Sequence, residues 1–102
     1  MSETIDLASL TADDFTPHVD SQFDLNLPNG SKFPLTLVTV QDLIAENPQY
    51  KRAFSLLFDG PREPILPQSI YALRHETLGG LDIFLVPIGV TPEHCQYQAV
   101  FN

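Results

Sequence analysis

The chain has one cysteine, Cys95, among 102 residues, which excludes an intrachain disulfide and fits a reducing, cytoplasmic setting. It is poor in positive charge: five Lys and Arg stand against 13 Asp and Glu, a net charge of -8. Such a surface repels nucleic-acid phosphate and anionic headgroups, and Lys32, Lys51, Arg52, Arg62 and Arg74 form no basic run longer than two. Neither nucleic acid nor a membrane is therefore expected as a partner. Long apolar runs are also lacking, and none approaches the roughly 20 residues that a membrane-spanning helix requires. The opening Met1-Ser2-Glu3-Thr4-Ile5-Asp6 has neither a basic nor an apolar leader segment, so no signal peptide is expected.

Motifs that carry chemistry are scarce too. His18, His75 and His94 are far apart, and no His-x-x-x-His or Cys-x-x-Cys spacing occurs, so no metal or other cofactor is expected. His94 and Cys95 are adjacent on a strand and point to opposite faces, which keeps them from chelating one ion. Cys95 with His75 or His94 is a conceivable thiol and base, but a small apolar role at the start of the last strand accounts for it better. Asp13 and Asp14 read as helix-capping acids, Asp59-Gly60-Pro61 as turn chemistry, and Gly79-Gly80 as a hairpin rather than a phosphate loop. No catalytic residue is assigned.

What the sequence does have is alternation. Phe23, Leu25 and Leu27 share one face of a strand over 22–27, and Asn29-Gly30 is a hairpin signal. Phe33, Leu35 and Leu37 share a face of the next strand, with Val38 and Val40 opposite. Phe54, Leu56 and Phe58 align on a third. The segment from Ile70 runs into Gly79-Gly80 and on into Leu81, Ile83 and Leu85, which predicts a hairpin turning at the two glycines. Pro87 belongs at an edge, a bulge or a strand end. Tyr97, Ala99 and Phe101 align on a last strand. With nine prolines and five glycines as punctuation, about six short strands predict one domain over 1–102, a small antiparallel β-barrel. Phe33, Phe54, Phe58, Phe84 and Phe101 are its bulky core candidates.

Thr11-Ala12-Asp13-Asp14 is a capping-box pattern for a short N-terminal helix, limited by Pro17 and carrying Leu7, Leu10 and Phe15 on its apolar side. Its expected role is to cover an open end or face of the sheet. Residues 41–52 are polar and contain Pro48; they read as a loop with a short helical turn at 42–46.

An excess of apolar residues on the side away from the core is the main functional lead. Val38, Val40, Leu73, Phe84 and Val86 are candidates for a surface that meets a protein partner or a second copy of the chain, and Leu57 and Val100 lie on the same side. The alternative is a small-ligand-binding barrel, with Tyr71, Arg74 and His75 as polar contacts at its mouth.

Phe54-Ser-Leu-Leu-Phe-Asp-Gly-Pro, Leu66-Pro-Gln-Ser-Ile-Tyr-Ala-Leu-Arg-His, Leu78-Gly-Gly-Leu-Asp-Ile-Phe-Leu-Val-Pro-Ile-Gly and the ending Tyr97-Gln-Ala-Val-Phe-Asn together resemble a family of uncharacterised bacterial single-domain proteins. Asp14-Phe-Thr-Pro, Val19 and Phe23 fit the same pattern, while 41–52 does not. The resemblance implies no catalytic residue and no cofactor. It associates the chain with phage-tail-collar-like, fibre-forming proteins, and so implies an accessory or structural role in a surface fibre or tail-like assembly.

Overall fold

The computed structural model describes residues 12–27, 30–43 and 53–101. A short helix α1 (Ala12–Phe15) passes into a 3-10 turn at Thr16–His18. Six strands follow: β1 (Gln22–Asn26), β2 (Lys32–Leu43), β3 (Ala53–Pro61), β4 (Ser69–His75), β5 (Gly79–Val90) and β6 (His94–Phe101). They close into an antiparallel barrel in the order β1-β2-β3-β6-β5-β4, with β4 returning to β1.

The two longest strands, β2 and β5, make closure possible by changing partner along their length. The first part of β2, Lys32 to Thr36, pairs with β1; the remainder, from Thr36 to Leu43, pairs with β3. β5 pairs with β4 from Gly79 to Leu85 and with β6 from Val86 to Val90. Each hand-over carries a register shift, at Leu37/Thr39 in β2 and at Pro87/Gly89 in β5. An extra residue bends a strand and increases its twist, which is how a sheet turns a barrel corner. Pro87 therefore stands at a bulge, one of its expected places.

Alternation fills the interior. Phe23, Leu25, Phe33, Leu35, Leu37, Phe54, Leu56, Phe58, Leu73, Leu81, Ile83, Leu85, Cys95, Tyr97 and Ala99 are all buried. Cys95 faces inward and His94 outward, as their adjacency requires. Phe84 does not join this core and stays 50% exposed.

Both barrel ends are closed from within the chain. At one, α1 inserts Phe15, which is fully buried against Phe54 and Phe101 at centroid distances of 5.7 and 5.8 Å. The helix thus covers an open end, as expected; Leu7 and Leu10 lie outside the described residues. At the other, residues 62–68 cross from β3 to β4 and bury Leu66. The Leu66 amide donates to the Tyr97 hydroxyl at 2.9 Å, and burial pushes that phenol up to about 12. Tyr97→Phe leaves a buried amide without its acceptor and should cost about 1–3 kcal/mol, read by urea denaturation. A change below a few tenths would mean that the crossover does not depend on this bond.

Three sequence expectations need correction. Residues 41–43 are not loop or helical: Gln41, Asp42 and Leu43 extend β2 opposite Ser55, Phe54 and Ala53, because ladder pairing with β3 outweighs their polar local pattern. The rest of the expected loop, 44–52, lies outside the described residues. Asp59-Gly60-Pro61 is not a turn but the last part of β3, paired with Gln96, Cys95 and His94. Finally, Gly79-Gly80 is not the centre of the hairpin turn. Both glycines belong to β5, opposite His75 and Arg74, and the connection is the three-residue segment Glu76 to Leu78. Gly79, with φ of +81°, takes up the left-handed conformation that follows a loop of this length.

Candidate functional site

Two places on the barrel carry more than packing: a polar cluster at the end closed by α1, and the outer face of β4, β5 and β6. The cluster is built around His75, the last residue of β4, which is paired with Phe23 of β1 and Gly79 of β5. Alternation turns its ring inward, and it is 4% exposed. Its Nδ1 accepts the amides of Thr77 at 3.0 Å and Leu78 at 3.1 Å, so that nitrogen carries a lone pair. Its Nε2 lies 2.9 Å from Ser21 Oγ. The Ser21 hydroxyl spends its proton on the His18 carbonyl, so Nε2 must donate to it. Two independent partners thus specify one neutral tautomer, with hydrogen on Nε2. The His18 ring stands edge-on at 4.6 Å, and the Phe23 ring lies tilted at 4.4 Å. Burial and the neighbouring His18 hold His75 below the ordinary histidine value, partly offset by Glu76.

A serine beside a histidine invites comparison with a nucleophile and its base. The wiring here runs the other way. A general base must present a free lone pair to the hydroxyl, whereas this ring presents N–H and the hydroxyl proton is already committed to a carbonyl. What the arrangement does is join the β4–β5 turn, β4 and the segment leading into β1.

The other titratable groups are more scattered. His94 Nδ1 is 3.8 Å from Asp59 Oδ2, and the Gln96 amide donates to Asp59 Oδ1 at 3.1 Å, on the outer side of β3 and β6. With the imidazole 45% exposed, that pair contributes little to stability. Cys95 is buried next to Tyr97. Among the described residues no group of three or more His, Cys, Asp or Glu is placed to hold a metal ion. None of the described helices is long and apolar enough to cross a membrane.

The three residues expected at a barrel mouth do not converge. Tyr71 and His75 take the inner side of β4, while Arg74 points outward and is exposed. The Tyr71 hydroxyl donates to the Pro67 carbonyl, and the His75 nitrogens are engaged as described.

The five residues expected on a partner surface separate as well. Phe84 is exposed, and Val38 and Val86 are half-buried. Val40 packs against the core instead, because the β2 bulge reverses the alternation after Leu37. Leu73 is buried, and the reason is the hairpin register. A two-residue Gly79-Gly80 loop would put Leu73 opposite Val86, on the outside; the actual loop puts it opposite Leu81, on the inside. The same change turns Ile70 outward and opposite Phe84. Ile70 is 67% exposed, Phe84 50% and Val100 51%. Phe84 and Val100 each lie two residues from the Val86–Gln98 pair, on neighbouring strands, so the three continue one apolar row across β4, β5 and β6. Only the correct parity of the hairpin would have revealed Ile70.

Neither a curated protein nor a solved structure matches this chain. A family model described as a domain of unknown function, DUF6916, matches residues 10–101, which include every described residue of the barrel, and the chain belongs to that family.

Proposed function

We propose that this protein is a non-enzymatic binding or assembly module that meets another protein, or a second copy of itself, through the outer face of β4, β5 and β6. The observation that carries this reading is the row Ile70, Phe84 and Val100. Large apolar side chains at half exposure or more continue across three strands of a barrel whose interior is already filled. Burying a side chain of this size contributes about 1.5–3 kcal/mol, so a row of three is a useful anchor at an interface centre. β4 and β5 are paired with each other along this face from Ser69 to His75, so the apolar side chains of the row stand together on one surface. Incorporation into a surface fibre or tail-like assembly is the particular form we favour.

Light scattering coupled to size exclusion tests the proposal, on the protein alone and mixed with a fibre-forming protein encoded beside such a domain. The expected result is a defined oligomer or mixed complex that Ile70→Ser with Phe84→Ser abolishes. Because both positions are exposed, circular dichroism and the unfolding midpoint should hardly change. A monomer that ignores the fibre protein at high concentration would overturn the reading, as would a complex indifferent to the two substitutions.

A further inference from the structure

We propose that His75 is an acid-releasable clamp that holds the β4–β5 turn to the segment joining the 3-10 helix to β1. The geometry assigns the role to a single ring. Through Nδ1 it binds two amides of the turn, those of Thr77 and Leu78, and through Nε2–H it binds Ser21. Ser21 in turn binds back to the His18 carbonyl. Its own backbone carbonyl receives the Leu37 amide at 3.1 Å, so the clamp also reaches β2.

The clamp has one weak point, and it is chemical. A second proton can enter the ring only at Nδ1, the nitrogen that carries the lone pair. There it would face two N–H donors at 3.0 and 3.1 Å, so donor would oppose donor and both bonds to the turn would be lost together. The charged and titratable neighbours reinforce this. His18, from the 3-10 helix, stands at 4.6 Å and would add a like charge on protonation, while Glu76, from the turn, favours the cation. The pairing residues on β1 and β5, Phe23 and Gly79, carry no charge.

The sign follows from burial. The folded ring holds its proton less well than the unfolded chain, so the unfolded state binds more protons as the pH falls. The clamp is fully closed at neutral pH. Its contribution declines as the pH drops below about 6.5, and the decline levels off once the folded ring is itself protonated.

Imidazole 15N shifts and amide exchange, measured by NMR from pH 7.5 to 5.0 on the whole protein, test the proposal. The expected result is an Nε2–H tautomer at pH 7.5. As His75 titrates, Thr77 and Leu78 should lose about tenfold in protection, after correction for intrinsic exchange, the equivalent of one hydrogen bond of ordinary strength. Substitution should move the midpoint in opposite directions: upward for His18→Gln, which removes the like charge, and downward for Glu76→Gln. An Nδ1–H tautomer at neutral pH would overturn the clamp. So would unchanged protection at Thr77 and Leu78 while His75 titrates, or a midpoint indifferent to both substitutions.

Discussion

Phe15→Ala should remove about 3–5 kcal/mol of stability, the usual consequence of truncating a fully buried phenylalanine. That is a large share of the roughly 5–15 kcal/mol by which a domain of this kind is stable. The reason lies in what Phe15 contributes to the hold on α1. Among the described residues the helix has four and the 3-10 turn that follows has three, and segments this short draw their stability from packing rather than from internal hydrogen bonds. Thr16 Oγ1 bonds the Ala12 carbonyl at 2.9 Å, which ties the segment to itself but not to the barrel. Two of its side chains enter the core, the small Ala12 and the large Phe15, and the Phe15 ring is set against Phe54 and Phe101, which are themselves stacked at 4.6 Å with 5° between planes. Truncation removes a contact from both rings and opens that barrel end to water. Urea denaturation measures the loss directly, and Phe15→Leu should recover most of it, to within about 1.5 kcal/mol of the wild type. A loss below about 1 kcal/mol for Phe15→Ala would mean that α1 is not the closure of this end, since no ring transferred from such a site to water costs so little.

Phe15 also illustrates what was legible in the sequence. A capping pattern, a proline two residues on and a lone large aromatic predict a short helix used as a cover, and nothing distant needs to be known. The inward sets of β1, β3 and β6, and of β5 as far as Leu85, were legible for the same reason: unbroken alternation, which in β5 lasts up to the bulge at Pro87/Gly89. The errors fall where alternation is interrupted by something non-local. In β2 the bulge after Leu37 reverses the faces, so Val40 moves from the expected outer surface to the core. In β4 the faces depend on the register of the hairpin, and that depends on which residues make the turn. Gly79-Gly80 carries a strong local turn signal, yet the turn lies at 76–78, where the Thr77 and Leu78 amides bond His75 Nδ1. The resulting change of parity buries Leu73 and exposes Ile70. The candidate partner face was therefore half legible. Its β5 member, Phe84, follows from its own strand, whereas its β4 member, Ile70, depends on which residues make the turn. The His75 cluster was not legible at all, because Ser21 and His75 are brought together only by closure of β4 onto β1.

Gly60→Val should be the most damaging single change in β3, although the position looks like an ordinary turn glycine between Asp59 and Pro61. Gly60 is buried in the strand, paired with Cys95, and its φ lies outside the left-handed region that only Gly30 and Gly79 occupy among the described glycines. Backbone conformation therefore does not demand glycine here. Space does. A Cβ at this position would stand 2.8 Å from Leu35 Cδ2, 3.2 Å from Tyr97 Cε1 and 3.3 Å from Phe33 Cε1. Those side chains are 0%, 0% and 3% exposed, so none can swing into solvent to make room. Tyr97 is further constrained by its bond to the Leu66 amide. For Gly60→Ala, overpacking should cost about 1–3 kcal/mol, offset by up to about 1 kcal/mol from the smaller entropy of the unfolded alanine chain. At about 4–8 °C per kcal/mol for a domain near this size, the net change should lower the thermal midpoint visibly. Valine adds two further methyl groups to the same gap and should exceed the alanine cost, with loss of soluble protein as its extreme. The mechanism can be separated from any general intolerance of β3 by a double-mutant cycle with Leu35→Ala, which removes the atom that the new Cβ meets first. Leu35→Ala alone should cost about 2–5 kcal/mol by leaving a cavity. With Gly60→Ala, the new methyl group fills part of that cavity, so the pair should cost less than the sum of the two single changes by at least about 0.5 kcal/mol. Strict additivity would mean that Gly60 and Leu35 do not compete for the same volume, and the close approach of β3 to β2 and β6 could not then be the reason glycine stands at residue 60.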